Sequence, residues 1–206
     1  MTDKADPMHA PDFLSETEPF RLVEAWCQEA DIKEPRDANA IQVATVDATG
    51  LPNIRSVLVK DRGPDGFTFY TNFESAKGRE LLASRKAALL YYWKSLSRQI
   101  RIRGAVDIVS DATADAYFAT RPRDSQLGAW ASHQSHRMPE RGEFERRMKE
   151  MRERFANSNV PRPPYWSGFR LIPSYIEFWQ ERPFRHHDRL AFQKDGNSWR
   201  RSLLYP

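Results

Sequence analysis

The chain reads as a mainly β domain with peripheral helices (α+β), its antiparallel strands forming a barrel or a sandwich. Three observations predict this. Short segments rich in β-branched and aromatic residues follow one another along the chain. Turn residues such as Thr49-Gly50 and Gly63-Pro64-Asp65-Gly66 join them, which favours antiparallel neighbours over a doubly wound sheet. At 206 residues, 40% hydrophobic and 29% charged, the chain is long enough and apolar enough for one real core.

Residues 1–17 are polar, contain Pro7 and Pro11, and read as a mobile tail ahead of a single domain over 18–206. Thr17 is the expected cap of a helix running to about Ala30, with Phe20, Val23, Cys27 and Ala30 on its buried face. Strands are expected over residues 40–47, 53–60, 67–71, 87–93 and 99–109, and a helix over 75–84 interrupts the meander. Tyr91, Tyr92 and Trp93 sit in an apolar run and read as core. A helix over 112–120 stops at Arg121-Pro122, and another starts at an Asp124 cap. Over 139–155, Phe144, Met148, Met151 and Phe155 form an apolar stripe. Glu143/Arg147, Glu145/Lys149 and Glu150/Arg154 are i,i+4 pairs on its solvated face. After the Pro-rich loop at 160–164, the last strands are expected over 168–180, 185–193 and 199–204.

Charge and cysteine usage narrow the function classes. A net charge of +4 and a pI near 9.3 suit anionic small molecules and nucleic acid alike. Cys27 is the single cysteine, which excludes an intrachain disulfide and a cysteine-based metal site and points to a reducing cytoplasm. The N-terminus lacks a signal-peptide core, and the longest apolar run, 87–93, is too short to span a membrane. His186 and His187 would diverge on a strand, and no carboxylate spacing supports a metal. There is no Gly-x-Ser-x-Gly elbow, zinc finger or basic recognition helix.

Four stretches carry binding chemistry. The first runs from Tyr175 to Arg189. Its aromatic half reads as a strand, and its basic half, continued as a strand, places Arg185, His187 and Arg189 on one face, with His186 and Asp188 on the other. Two guanidiniums flanking an imidazole suit an anionic, planar ligand, whereas the plain alternative is a solvated basic edge strand. Asp188 is expected to brace the strand by pairing with a basic neighbour. The second stretch, Tyr70 to Arg79, runs from a strand into a helix. Free N–H groups, the hydroxyls of Thr71 and Ser75, and Lys77 make a phosphate cradle, or equally a simple N-cap beside a surface lysine. In the third, Tyr117 and Arg121 are i,i+4 and Ser125 follows the proline break, a second phosphate-binding set or an ordinary helix end. In the fourth, Arg55 and Lys60 differ in parity, so one shared site needs a bulge or a site spread across layers.

Several runs together resemble the pyridoxamine/pyridoxine 5'-phosphate oxidases. They are Arg55-Ser-Val-Leu-Val-Lys60, Phe69-Tyr-Thr-Asn72 with Ser75-Ala-Lys-Gly78, Arg98-Gln-Ile-Arg101, and Tyr117-Phe-Ala-Thr-Arg-Pro-Arg-Asp-Ser-Gln-Leu-Gly-Ala-Trp130 with Gln134-Ser135. To these are added Pro161 through Arg170 and Ile176-Glu-Phe-Trp-Gln180 through Arg189. Their order covers the chain from about residue 18 onward. The resemblance implies a split β-barrel with a Greek-key-like antiparallel sheet, binding FMN at a homodimer interface with residues of both chains in each site. It implies FMN contacts from the run Arg55, Ser56, Val57, Leu58, Val59 and Lys60, and from Tyr70, Thr71, Ala76, Lys77, Gln99, Gln134, Ser135, Trp179 and Arg189. Lys60, Tyr117, Arg121 and Ser125 would hold the substrate phosphate. Arg185 and His187, with His186 beside them, would lie against the substrate ring as the catalytic pair.

The implied reaction oxidises the 4' carbon of pyridoxamine or pyridoxine 5'-phosphate to give pyridoxal 5'-phosphate, with O2 as acceptor, H2O2 as product and ammonia from the amine. Three departures stand out. Many family members carry an arginine where Ala76 stands, and Arg79 is the available substitute. Residues 1–20 contain no Arg or Tyr where many members have a basic, tyrosine-containing lid. The chain ends Ser202-Leu-Leu-Tyr-Pro206 rather than Arg-Leu-Ala-Pro. Two other classes compete: a split-barrel carrier or sensor without turnover, and a basic nucleic-acid module whose affinity would fall steeply with salt.

Overall fold

Alternation of apolar and polar residues turns one side of each strand inward. The strands are β1 (Ala40–Val46), β2 (Pro52–Gly63), β3 (Gly66–Asn72), β4 (Lys86–Trp93), β5 (Arg98–Ile108), β6 (Trp166–Gln180), β7 (Asp188–Asp195) and β8 (Ser198–Leu203). In the computed structural model, which describes residues 13–206, they form one sheet in the order β3-β2-β1-β4-β5-β6-β7-β8. Every pairing is antiparallel. A further β3–β6 pairing closes the first six into a barrel and leaves β7 and β8 as an extension. The spatial order β3-β2-β1-β4 is a Greek key, as the resemblance implied.

β6 makes the closure possible. One edge pairs with β5 along its length. The other gives residues 166–171 to β3 and residues 175–180 to β7. Pro173, which has no N–H to offer a ladder, stands at the handover. The β5–β6 register shifts there, with Arg103 opposite Tyr175 and Gly104 opposite Pro173. A Cβ on Gly104 would lie 1.9 Å from the Ile172 carbonyl oxygen, so this crossing requires glycine. The barrel interior is filled by fully buried side chains such as Ile41, Phe67, Phe69, Tyr91, Ile100, Phe169 and Phe178.

Helix α1 (Pro19–Lys33) covers one end of the barrel. Its buried face includes the expected Val23, Cys27 and Ala30 and adds Leu22 and Trp26. The N-cap is Glu18, followed by Pro19, rather than Thr17; proline's fixed φ suits the first turn. Within the segment expected as a tail, Phe13–Ser15 is a short 3-10 turn, and Phe13 packs edge-on against Trp26 at 5.1 Å. Residues 1–12 lie outside the described residues. Burial pushes the Cys27 thiol up to about 12.

Helices α2 (Ala76–Ser84), α3 (Asp111–Ala119), α4 (Arg123–Ala131) and α5 (Glu143–Arg154) complete the chain. α3, α4 and α5 bury Phe118, Leu127, Met148 and Phe155 in a second, smaller core with Trp166 at the start of β6. α4 begins after Pro122, not at an Asp124 cap. The i,i+4 pairs expected on α5 are replaced by Arg146 with Glu143 and Glu150 and by Lys149 with Glu153. Arg147 and Arg154 reach across to α4 instead: Arg147 donates to the Ala131 carbonyl, and Arg154 covers the Trp130 ring.

The largest correction concerns the last strands. Pro183–Arg185 is a 3-10 turn, with φ of 58° at Phe184 and 63° at Arg185. Left-handed backbone cannot continue a ladder, so β7 starts only at Asp188 and the period-two face expected for Arg185, His187 and Arg189 does not exist. No helix among the described residues is long and apolar enough to cross a membrane.

Gly104→Ala is expected to destabilise the barrel by at least about 1–3 kcal/mol, because the obstructing atom is backbone and cannot rotate away. A thermal-unfolding midpoint equal to wild type would show that the β5–β6 crossing tolerates a side chain.

Candidate functional site

A cleft of about 680 Å³ opens where the barrel wall meets the helical subdomain. β2 contributes Ser56, Val57, Leu58 and Lys60, the end of β3 contributes Tyr70 and Thr71, and α2 contributes Lys77. The α3–α4 segment brings Tyr117, Arg121 and Ser125, and Gln134 and Trp166 complete the wall. The two phosphate-binding sets expected from separate stretches therefore share one cavity. The β2–β3 register shifts between Val59 and Asp61, a bulge at Lys60, yet Lys60 lines the cleft and Arg55 does not, so the two cations stand in different layers.

The α2 N-terminus is built by its own cap. Ser75 Oγ accepts the Gly78 N–H at 3.1 Å and donates to the Asn72 carbonyl at 2.7 Å. That hydroxyl is fully buried and spent on the cap, so Ser75 does not supply the ligand contact expected of it. Thr71 and Lys77 do face the cleft. Lys77 Nζ donates to Thr71 Oγ1 at 3.0 Å and to Gln134 Oε1 at 2.9 Å. Burial, then the nearby Arg55 charge, lower the Lys77 ammonium to about 8.

Arg55 stands behind the cleft. Its guanidinium bonds Thr45 Oγ1 and pairs with Glu80 at 3.0 Å. Val59 turns its side chain into the core, and Asn39 takes both its N–H and its carbonyl. Ala76 opens α2, and the Arg79 guanidinium donates to the Glu74 carbonyl. Ser135, at φ 69°, lines an adjoining cavity with Gln134.

Aromatic rings floor the cleft. Tyr70 stacks on Tyr117 at 4.0 Å and on Trp166 at 5.4 Å, and the Arg121 guanidinium lies 4.8 Å over Trp166. Gly168 sits opposite Tyr70 in the ladder, and a Cβ there would come within 2.8 Å of the Tyr70 ring. Arg121 Nη1 is buried with no hydrogen-bond partner among the described residues, and burial lowers the Arg121 guanidinium. An orphaned guanidinium N–H in a cavity with Lys60, Tyr117 and Ser125 calls for an anionic oxygen.

The other expected residues do not line this cleft. Gln99, Trp179 and Arg189 form one cross-strand row on the outer face of β5, β6 and β7, because directly paired residues point the same way. The His187 ring lies 4.6 Å from Trp179. His187 Nδ1 accepts the Arg182 N–H at 3.2 Å, which leaves Nε2 as the protonated nitrogen. Arg182 pairs with Asp188 at 2.6 Å, the bracing role expected of Asp188. Arg185 and His186 are exposed on the turn. Three side chains went unassigned from sequence: Trp166, Glu80 and Glu177. A lone carboxylate within the aromatic stretch 175–179 was the available signal for Glu177; Glu80 looks like any polar helix residue.

Comparison with known proteins gives a consistent result. The family described as pyridoxamine 5'-phosphate oxidase matches residues 29–155. The pyridoxine 5'-phosphate oxidase C-terminal dimerisation region matches 166–206. A pyridoxine/pyridoxamine 5'-phosphate oxidase of Mesorhizobium japonicum is 54% identical over 95% of this chain and 96% of its own length. One of Azorhizobium caulinodans is 52% identical, with both chains fully covered. Among solved structures, PhzG from Burkholderia lata in complex with tetrahydrophenazine-1-carboxylic acid superposes with a TM-score of 0.89 at 30% identity, covering 96% of this chain and 97% of that one.

With Lys77 titrating at about 8, affinity of the apoprotein for FMN is expected to fall as pH rises through that value, because only the ammonium form offers the phosphate a charge. Flavin-fluorescence titration across this range reads it. Lys77→Ala is expected to weaken FMN binding by roughly 1.5–3 kcal/mol and to flatten the pH profile; unchanged affinity would remove Lys77 from the cradle.

Proposed function

The chain belongs to the pyridoxamine 5'-phosphate oxidase family, and from that premise we propose how its residues divide the work. It is an FMN-dependent enzyme that oxidises pyridoxine and pyridoxamine 5'-phosphates, and it assembles as a homodimer. The residues present fit the cofactor: a polar cluster of Thr71, Lys77 and Gln134 for a phosphate, and a wall of flat side chains for a ring. When bound, FMN would supply an acceptor for a hydride equivalent from the substrate 4' carbon, with O2 as the terminal acceptor and H2O2 as its product.

The chain's own residues bind, orient and position. Arg121, Lys60, Tyr117 and Ser125 hold the substrate phosphate, and the observation that carries this is the buried, unpartnered Nη1 of Arg121 in the same cavity as the other three. Thr71, Lys77 and Gln134 hold the cofactor phosphate; Arg55 acts from behind through its charge. The row Gln99–Trp179–Arg189 and the turn carrying Arg185 and His187 do not line the cleft of their own chain. They complete the cleft of the second subunit, so each homodimer holds two shared active sites. Arg185 places its guanidinium against the substrate ring, and His187 donates from Nε2, the proton held there by the Arg182 N–H on Nδ1. The alcohol substrate leaves as the aldehyde, pyridoxal 5'-phosphate. The amine leaves as an imine, which water converts to the same aldehyde and ammonia. The single, buried cysteine fits a reducing cytoplasm.

Anaerobic addition of pyridoxine 5'-phosphate to the FMN-loaded protein is expected to bleach the flavin band, which returns with air as H2O2 forms. A band that never bleaches with either vitamer would favour a carrier. Arg185→Leu is expected to lower kcat/KM far more than FMN occupancy. Mixing Arg185→Leu subunits with Arg121→Ala subunits is expected to restore activity, because one site of each hybrid dimer then has both halves intact. No recovery after verified subunit exchange would place both halves in one chain.

A further inference from the structure

Glu177 is only 2% exposed, yet it faces outward from the sheet, beside the row Gln99–Trp179–Arg189 and one pair further along β6. All of its acceptor capacity is committed. Oε1 accepts both Nε of Arg189 at 3.0 Å and Nη2 of Arg189 at 2.8 Å. Oε2 accepts Nη1 of Arg101 at 3.0 Å and the Tyr175 hydroxyl at 2.8 Å. Nη1 of Arg189 is engaged as well, donating one of its two hydrogens to the Tyr205 carbonyl at 2.9 Å. One guanidinium is thus fixed in plane and rotation by three hydrogen bonds from two directions.

We propose that Glu177 is a positioning residue for FMN: it sets the plane of the Arg189 guanidinium so that its free N–H edge meets the cofactor held by the second subunit. This rests on the assignment of Arg189 to the cofactor set. Burying a carboxylate between two arginines is a poor route to stability alone, because desolvation offsets most of the attraction and an apolar trio of similar volume holds strands as well. What the arrangement does supply is orientation. Lysine could carry the same charge at position 189, but it has no rigid fork for one carboxylate oxygen to chelate.

The sign of the effect separates this role from simple electrostatics. Removing a negative charge beside an anionic ligand should tighten binding if charge alone matters. Positioning predicts the reverse. FMN dissociation constants of the apoprotein, read by fluorescence titration, are expected to rise roughly tenfold or more in Glu177→Gln, the loss of one charge-assisted contact. Arg189→Gln is expected to give a similar rise, and the double variant no more than either single one. Arg189→Lys is expected to bind FMN as poorly as Arg189→Gln, and this variant leaves no buried carboxylate without a cation, so it serves where Glu177→Gln fails to fold. Thermal unfolding and the dimer mass of each apoprotein report structural damage separately.

Tighter or unchanged binding in Glu177→Gln, additive losses in the double variant, or full rescue by Arg189→Lys would each overturn the positioning role. Intact affinity in Arg189→Gln would remove Arg189 from the cofactor set, and the inference with it. Weak binding in Arg189→Gln beside wild-type binding in Glu177→Gln would sink the inference alone.

Discussion

The fold depends on how one long strand satisfies its backbone. β6 needs partners for its N–H and C=O groups on both edges, and it finds them in three neighbours rather than two. Its first half closes the barrel against β3; its second half leaves the barrel and starts the β7–β8 extension. The switch needs a residue with no N–H to offer a second ladder, Pro173, and a partner without a side chain, Gly104. The same strand then carries both halves of the proposed site. Near its start, Trp166 and Gly168 shape the floor beneath Tyr70 and Arg121. Near its end, Glu177 and Trp179 carry the outward row.

The two halves are opposite in electrostatic character. The outward row is satisfied: Glu177 is matched by Arg101, Arg189 and Tyr175. The cleft is left wanting. Arg121 has a buried N–H without an acceptor, and Lys77 is held where its charge costs most to keep. Buried cationic groups without counter-charges lower the stability of the free protein, and an arriving phosphate relieves that deficit. Ligand binding to the native state therefore adds stability by mass action as well as function.

Much of this was legible in the sequence, and the limits are physical. Strands with turn punctuation and the apolar stripe of α1 came through, because a period of two or 3.6 is written locally. The resemblance supplied barrel closure and the cofactor set, which periodicity cannot. The strand expected through Arg185 failed because Phe184 and Arg185 adopt left-handed backbone without a glycine to announce it. Ser75 was open to two readings, ligand hydroxyl or cap, and only the geometry of Gly78 N–H decides for the cap. The α5 ion pairs failed because Arg147 and Arg154 have partners on α4, far off in sequence. Glu80 and Trp166 act through contacts between distant elements and left no local trace.

Cys27 lies on the buried face of α1 against the barrel core, and its thiol is pushed up to about 12 by burial. Peroxide attacks thiolates rather than thiols, and it attacks those that solvent can reach. With O2 as the proposed acceptor, this chain would be the first protein to meet the peroxide formed. Here the single sulfhydryl is both protonated and enclosed, so the folded chain offers peroxide no cysteine to oxidise. Protection of that thiol thus comes with the packing of one helix on a barrel, and it lasts as long as that packing does.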